Sequence, residues 1–299
     1  GFVLLPLAKV LFSRGNVPWY LFPAVTYCAM VPGCAFFPGG IQTNNMAPTQ
    51  YLGTSLTAAP VIGIIGTVIY LLLSALKKGR ENPDAFDYTP SINMELLENE
   101  QLPGVLRSVL PMVIALVAIN ILKLHIVYGL IIACVACLIL LWPYYPNKVR
   151  TLNDGVTNGI SPVILVAMVV GIAKVVAATP TFAAFQGWLY ELPFSGLFKV
   201  FSVTNAVAFM TGSGTAAIST TLDLFGADFL SMGYSAETIH RIVAMSSEGF
   251  DSMPWNSFIV LVTSMAGLSY SSSYKHVFAL SVFLTGFSTI ITILLMSFF

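Results

Sequence analysis

Apolar runs long enough to cross a bilayer alternate with short polar stretches along nearly the whole chain. A helix needs roughly 20 mostly apolar residues to span the hydrocarbon core. The sequence predicts complete spans at 17–37, 57–76, 105–122, 126–142, 158–178 and 275–299. Residues 1–12 have the pattern of the end of another span, whereas residues 179–195 are too polar for a span and are predicted to lie at the surface. The pattern therefore predicts an all-α membrane protein, a polytopic helix bundle.

Two further apolar stretches are interrupted by small and polar residues. Residues 196–231 are split by the tip Thr211–Thr215, and residues 237–270 are split at 248–256. Irregular backbone at membrane depth is tolerated only where it is buried in protein or lines a cavity. The pattern predicts a re-entrant hairpin and a broken transmembrane helix that face one site. Secondary transporters build their midplane sites in this way, often from inverted repeats.

One segment of the chain is strongly hydrophilic. Residues 77–104 hold nine of the 26 Asp, Glu, Lys and Arg residues, and we interpret them as a cytoplasmic linker. The linker divides the chain into the remainder of a first transmembrane repeat, 1–76, and a second repeat, 105–299. A short match between the two, Gly-Phe-x-x-x-Pro at 1–6 and again at 249–254, agrees with internal repetition.

The composition argues against a soluble domain, a nucleic-acid-binding protein and a metal or cofactor site. The chain is 57% hydrophobic and only 9% charged, with a mean hydropathy of +0.84, whereas soluble domains carry roughly 25% charged residues. A net charge of zero argues against nucleic acid as a partner. The C-x-x-C of Cys134 and Cys137 lies within an apolar run and is interpreted as packing, so no metal site and no cofactor are predicted.

The distribution of basic residues predicts an orientation. If each complete span changes sides, one face receives most of the cations, and the positive-inside rule makes that face cytoplasmic. The residues on it are Lys9, Arg14, Lys77, Lys78, Arg80, Lys148, Arg150 and Lys275. The hairpin would then open to the outside.

The hairpin tip is the first candidate binding site. Its residues are Thr211, Gly212, Ser213, Gly214 and Thr215. A break here frees backbone amides and carbonyls and adds hydroxyl groups, and the N-terminus of a half-helix carries a partial positive charge that suits a carboxylate. Small residues also allow close helix packing, and this alternative stays open.

The second break carries the acids that are most informative about ion coupling. An ionisable group inside a span indicates a functional site, and Asp251 stands at the break, with Glu248 just before it. Ser252 and Asn256 follow as candidate substrate ligands. Asp251 could take a proton, hold a cation, or cap the following half-helix.

Two other polar groups are candidates. His240 could be a pH-sensitive coupling group, although an interfacial helix start, with His240 and Arg241 extending towards water, is slightly favoured. The uncharged run Gln42, Thr43, Asn44 and Asn45 has many hydrogen-bond donors and could help to select a polyhydroxylated or carboxylated substrate. A loop exposed to solvent explains that run equally well.

Three motifs resemble the gluconate permease (GntP) family of the ion transporter superfamily. They read TGSGTAAIS, IHRIVAMSSEGFDSMPWNS and GLSYSSSYKHVF, against TGSxxA, IHRIAxxxxGGLDxLPHN and GLTHKESYKDIF in that family. The opening GFVLLP is similar to a segment of the family's first half, which implies that about 130 N-terminal residues of the family pattern are absent here.

The resemblance implies an inner-membrane symporter of gluconate-like or other small organic acid anions, driven by protons. It also implies an elevator-type motion of a transport domain and a homodimer in the lipid bilayer. Trp255 stands where the family has histidine, and Pro38–Gln50 departs from a Pro/His-rich run. These departures put gluconate itself in doubt and move the expected proton role to Asp251.

Another type of transporter and one class of enzyme would use some of the same residues. A sodium-coupled carboxylate symporter or an ion exchanger of the same superfamily would use the same hydroxyl and carbonyl groups. An intramembrane serine protease would pair Ser213 with His240, but the order Thr-Gly-Ser-Gly does not fit the G-x-S-G spacing that such enzymes need. The sequence therefore predicts a transporter and not an enzyme.

Overall fold

All regular elements in the described part of the chain are helices. The computed structural model describes residues 8, 9, 11, 12, 15, 17–75, 103–145 and 147–296, and no strand occurs among them. Three of the helical stretches are long and apolar enough to cross a membrane, namely Trp19–Phe36, Ile126–Tyr144 and Tyr270–Met296. The prediction of an all-α membrane protein is confirmed.

The chain forms two compact units, one from residues 1–90 and 176–299 and the other from residues 91–175. Most of the predicted linker and the first copy of the Gly-Phe-x-x-x-Pro match lie outside the described residues. The division into two repeats, and their inverted relation, therefore stay predictions.

In the first unit, a 3-10 turn, Trp19–Leu21, leads into α1 (Phe22–Val31), and a π-helical turn, Pro32–Phe36, follows α1. The other helices of this unit that precede residue 76 or follow residue 178 have these bounds: α2 Thr43–Leu52, α3 Pro60–Ala75, α7 Pro180–Tyr190, α8 Gly196–Thr211, α9 Gly214–Ser231, α10 Ala236–Ser247, α11 Ser257–Met265, α12 Tyr270–Val277 and α13 Leu284–Met296. A π-helical turn, Phe278–Phe283, joins α12 to α13.

The second unit contains α4 (Val105–Leu116), α5 (Ile126–Leu141) and most of α6 (Lys148–Ala177). Helices α4 and α5 pack against each other. Helix α6 begins ten residues before the predicted span at 158, because the Asn147 side chain accepts a hydrogen bond from the Arg150 amide and caps a polar first turn (3.0 Å).

The predicted interruptions are present as breaks between helices. Helix α8 ends at Thr211, and the next residue, Gly212, has a φ of +59°, the left-handed conformation that glycine adopts without strain. Ser213 then caps α9, so the two helices form a helical hairpin with a two-residue tip. The second break separates α10 from α11 and contains a single 3-10 turn, Phe250–Ser252.

The hairpin packs against the elements that carry the other polar segments. Helix α8 contacts α9 and α10, and α2 contacts both α9 and α10. Apolar side chains such as Val203, Ile218 and Ile242 fill this interior and are fully buried. The polar N-terminus of α2 is therefore held beside the tip of the hairpin and the end of α10.

The segment predicted to lie at the surface forms helix α7. Thr179 caps it by accepting from the Phe182 amide (3.2 Å). Phe182 and Leu189 are buried, whereas Trp188 is exposed. The segment is thus an amphipathic helix with one face on the core.

Candidate functional site

Three chain breaks converge in the first unit. They are the tip between α8 and α9, the interruption between α10 and α11, and the N-terminus of α2. The side chains at these breaks are hydrogen-bonded to one another across the breaks. We call this group of residues the polar junction: Thr43, Asn44, Gly212, Ser213, Gly214, Thr215, Glu248, Asp251, Ser252 and Asn256.

The hairpin tip is shaped by hydrogen bonds within its own turn. The Thr211 hydroxyl donates to the Val207 carbonyl (2.9 Å), and the Gly212 amide donates to the Ala208 carbonyl (2.8 Å). Ser213 Oγ accepts from the Ala216 amide (3.4 Å). Thr211 and Ser213 thus finish one helix and start the next, which leaves Gly214 and Thr215 to face the neighbouring segments.

The interruption after α10 brings two carboxyl groups into the interior. Glu248 and Asp251 are each only 4% exposed. The Ser252 hydroxyl lies 2.8 Å from Asp251 Oδ1 and donates to it, and it also lies 2.5 Å from the Ser281 hydroxyl. Among the described residues, neither carboxylate forms an ion pair with a basic side chain. Hydroxyl and amide groups surround them instead.

Asn256 joins the interruption to the hairpin tip. Its Oδ1 caps α11 by accepting from the Ile259 amide (3.0 Å). Its Nδ2 lies within hydrogen-bond distance of the Gly212 carbonyl (3.1 Å), the Asp251 carbonyl (2.9 Å) and the Tyr27 hydroxyl (3.1 Å). One side chain therefore connects α1, the tip and both sides of the break.

The N-terminus of α2 completes the polar junction. Asn44 Nδ2 donates to the Glu248 carboxylate, and the Thr215 hydroxyl donates to Asn44 Oδ1 (2.5 Å). Thr215 Oγ1 also lies 3.1 Å from Thr43 Oγ1. Gly214 permits this approach, because a Cβ there would lie 2.5 Å from Asn44 Nδ2 and 3.2 Å from Asp251 Oδ2.

The structure separates the members of the Gln42–Asn45 run. Asn44 and Asn45 are buried, whereas Gln42 and Thr43 are exposed. Gln42 precedes α2 in an extended conformation, and its side chain makes no capping hydrogen bond. Asn45 does not face the carboxyl groups: its Nδ2 donates to the Gly40 and Leu56 carbonyls (both 2.8 Å).

His240 and Arg241 do not extend towards water, so the interfacial interpretation of these residues is wrong. Both are 0% exposed. His240 Nδ1 lies 2.6 Å from the Thr54 hydroxyl and Nε2 lies 3.2 Å from Asn45 Oδ1. A buried cation requires hydrogen-bond partners, and backbone carbonyls of residues 35–58 supply them to Arg241.

Neighbouring Ser213 and His240 would be needed for a serine protease. Ser213 Oγ caps α9, and both ring nitrogens of His240 face Thr54 and Asn45. The structure does not bring the two side chains together.

Tyr27 and Asn205 were not predicted as site residues, although Tyr27 contacts Asn256 and Asn205 contacts the interruption. Tyr27 lies in an apolar span, where nothing local marks its hydroxyl as part of a site. Asn205 Oδ1 accepts a hydrogen bond from the Phe250 amide (3.3 Å). Since Asn205 lies on α8, it ties the hairpin to the interruption at a second point.

The chain is similar to one named transporter. It is 23% identical to the uncharacterized transporter YxjC of Bacillus subtilis (strain 168), over an alignment that covers 95% of this chain and 71% of that protein. No family model matches the chain. No solved structure matches it.

Proposed function

We propose that this protein is a secondary active transporter, a proton-coupled symporter that imports a gluconate-like or other small organic acid anion. The observation that carries the proposal is the convergence of the hairpin tip, the interruption and the start of α2 around Glu248 and Asp251. Broken helices that meet at one point are the way in which secondary transporters build their sites. The similarity to a protein named as a transporter supports the same class.

The two carboxyl groups are the proposed coupling groups. Each is buried among neutral hydrogen-bond partners, so a change in its charge must be balanced by a proton, a cation or a movement of the protein. Asp251 lies beside the N-terminus of α9 and holds the Ser252 hydroxyl. Glu248 holds Asn44. Protonation of Glu248 would therefore change a contact between two of the three breaks, and protonation of Asp251 would change a contact within the interruption.

The substrate anion is proposed to bind at the start of α9. Gly214 and Thr215 stand at its N-terminus, where backbone amides and the helix dipole favour a carboxylate. Thr43, Asn44 and Thr215 supply side chains that can hydrogen-bond hydroxyl groups of a hydroxy acid. The resemblance to gluconate permeases supports this substrate class. We include in the proposal the inner membrane as location, an elevator-type motion and a homodimer.

Sodium coupling is the second candidate, and a specific observation favours it. Asn44 Oδ1, Thr215 Oγ1 and Thr43 Oγ1 lie close together beside Glu248, and oxygen atoms of this kind bind hard cations. Proton coupling and sodium coupling are therefore compared in the same uptake experiment.

The test is uptake of radiolabelled gluconate, citrate, lactate and glycerate into proteoliposomes. An imposed pH gradient is compared with an imposed sodium gradient. We expect the pH gradient to drive accumulation of one acid. Asp251→Asn should abolish that accumulation, because an amide side chain does not take up a proton at the pH values of the experiment. The matched control is Asp223→Asn, which neutralises an exposed carboxylate on α9 and should leave uptake unchanged.

The possible results discriminate between the hypotheses. Accumulation that requires sodium would keep the class and replace the coupling ion. Proton-driven accumulation that persists in Asp251→Asn would remove Asp251 from the coupling step. If neither gradient drives uptake of any of the four acids, the proposed substrate class is wrong.

A further inference from the structure

Arg241 is a fully buried cation whose hydrogen bonds all end on uncharged oxygen atoms. Nε donates to the Ala58 carbonyl (3.1 Å). Nη1 donates to the Ala35 carbonyl and to Asn45 Oδ1 (both 2.8 Å). Nη2 donates to the Leu56 carbonyl (3.3 Å) and again to the Ala58 carbonyl (2.8 Å).

This arrangement leaves no donor for a substrate. A guanidinium group has five N–H hydrogens, and Arg241 forms five hydrogen bonds within the protein. An anion could bind to it only by displacing contacts that hold residues 35–58 in place. Although arginine is a frequent carboxylate ligand, the geometry makes Arg241 part of the internal framework.

The contacts of Arg241 enclose the segment that contains α2. Ala35 precedes α2, Leu56 and Ala58 follow it, and Asn45 lies in its first turn. Asn45 Nδ2 donates to the Gly40 and Leu56 carbonyls, so its Oδ1 is the acceptor that faces Arg241 and His240. The guanidinium group thus joins both ends of the segment to the start of the helix between them.

Asn45 is adjacent to Asn44, the α2 side chain that contacts Glu248 and Thr215. A shift of Asn45 would carry Asn44 with it, because consecutive residues of one helical turn move as a unit. We propose that Arg241 is a positioning residue that acts through Asn45 to hold Asn44 against Glu248 and Thr215. The inference rests on the proposed site but not on the identity of its substrate or coupling ion.

His240 makes a second contact with the same oxygen. Because Asn45 Oδ1 is an acceptor, His240 Nε2 carries the hydrogen, and Nδ1 can accept from the Thr54 hydroxyl (2.6 Å). His240 and Arg241, which are consecutive in α10, both hold Asn45 in the first turn of α2. His240 also holds Thr54, which follows the end of α2. This gives His240 a positioning role next to that of Arg241.

The test measures the position of the α2 start directly. Thr43→Cys and Thr215→Cys place two thiols where the hydroxyl oxygens are 3.1 Å apart, in a background without the native cysteines Cys28, Cys34, Cys134 and Cys137. Disulfides form only within a narrow range of Cβ separations. The rate of cross-linking by copper phenanthroline in membranes therefore reports whether α2 stays beside the hairpin tip.

We expect Arg241→Met and Asn45→Ala to lower the cross-linking rate about tenfold, because disulfide formation depends steeply on the separation of the two residues. Arg241→Lys, which keeps the charge and three donors, should recover part of the rate. The matched control is Ser246→Ala, which removes a buried hydrogen bond of α10 to the Ile242 carbonyl without touching Asn45. It should cross-link at the parental rate.

Thermal unfolding in detergent separates positioning from loss of the fold. An Arg241→Met protein that unfolds at the parental temperature and still cross-links at the parental rate overturns the proposal. If Arg241→Met does not fold, Asn45→Ala decides, because it leaves four of the five hydrogen bonds of Arg241 in place. A parental rate in Asn45→Ala overturns the proposal, and a selective loss there supports it. Since no substrate is added, failure of this test is distinct from failure of the uptake experiment.

Discussion

Asn256 joins α1, the hairpin tip and both sides of the interruption, so its removal gives a sharp prediction. Asn256→Ala deletes the cap of α11 and the Nδ2 contacts with Gly212, Asp251 and Tyr27. Loss of an N-cap costs about 1 kcal/mol. The amide has two hydrogens for three acceptors, so at most two complete hydrogen bonds are lost, at about 1 kcal/mol each. We expect Asn256→Ala to lower the free energy of unfolding by about 3 kcal/mol, the sum of these terms.

Two further variants at the same position separate the cap from the bridge. Asn256→Ser keeps a good N-cap but is too short to reach the hairpin, so it should lose about 2 kcal/mol. Asn256→Asp also keeps the cap, yet its carboxylate has no hydrogen to donate and faces the carbonyl oxygens of Gly212 and Asp251. The aspartate variant should therefore be less stable than the serine variant.

The measurement is reversible unfolding in mixed micelles of dodecyl maltoside and sodium dodecyl sulfate, followed by tryptophan fluorescence. Ser235→Ala calibrates the loss of a cap at an exposed helix start, because Ser235 accepts from the Thr238 amide (3.2 Å) at the start of α10 and its other side-chain contact, with the Thr238 hydroxyl (2.9 Å), is exposed to solvent. It should cost about 1 kcal/mol. Two results would refute the idea that Asn256 bridges the tip and the interruption. One is an Asn256→Ser protein as stable as the parent, and the other is an Asn256→Asp protein more stable than the serine variant.

Glycine substitutions at and near the hairpin tip give further predictions. Gly214→Ala should abolish proton-driven uptake, because its Cβ would push Asn44 Nδ2 away from a position only 2.5 Å distant. Its control is Gly226→Ala, where the Cβ would meet only ordinary contacts at 3.9 Å. That change should raise the free energy of unfolding by about 0.5–1 kcal/mol and leave uptake intact. Gly212→Ala should destabilise the protein by more than 1 kcal/mol or so, since φ is +59° and the Cβ would lie 2.7 Å from the Trp255 ring. Unfolding in mixed micelles checks this value, and a stability equal to the parent's would contradict it.

The positions of the two breaks could be predicted from sequence because their causes are local. Residues 211–215 combine glycine, serine and threonine inside an apolar run, and the structure places the tip at Gly212 and Ser213. The second interruption was predicted at 248–256, and α10 ends at Ser247 while α11 begins at Ser257. Helix termination depends on nearest neighbours and on caps, so a single sequence contains the information.

The contacts between the breaks could not be predicted in the same way. Asn44 lies 204 residues from Glu248 and 171 residues from Thr215 along the chain. The sequence of residues 42–45 was therefore equally consistent with a solvent-exposed loop and with a buried segment. Only the packing of α2 against α9 and α10 decides that Asn44 faces inwards and Gln42 does not.

Arg241 illustrates why the local pattern gave a wrong answer. Burial of a cation is costly unless hydrogen bonds compensate it, so an arginine near a helix start is ordinarily expected to reach water. The compensation comes from the carbonyls of Ala35, Leu56 and Ala58, which precede Arg241 by 183 residues or more. The sequence around position 241 carries no information about the positions of those carbonyl groups.

Trp255 and Asn256 both hold the hairpin tip. Trp255 Nε1 donates to the Phe209 carbonyl at 2.9 Å, and its ring packs edge-on against Phe209. Asn256 donates to the Gly212 carbonyl, three residues further along. The two neighbours thus hold successive parts of the same tip, Trp255 from a half-exposed position and Asn256 from the interior. Because the contacts of Trp255 are with the hairpin and not with a carboxyl group, a change of residue type at 255 alters how the tip is held. The acids that we propose for coupling stay in place.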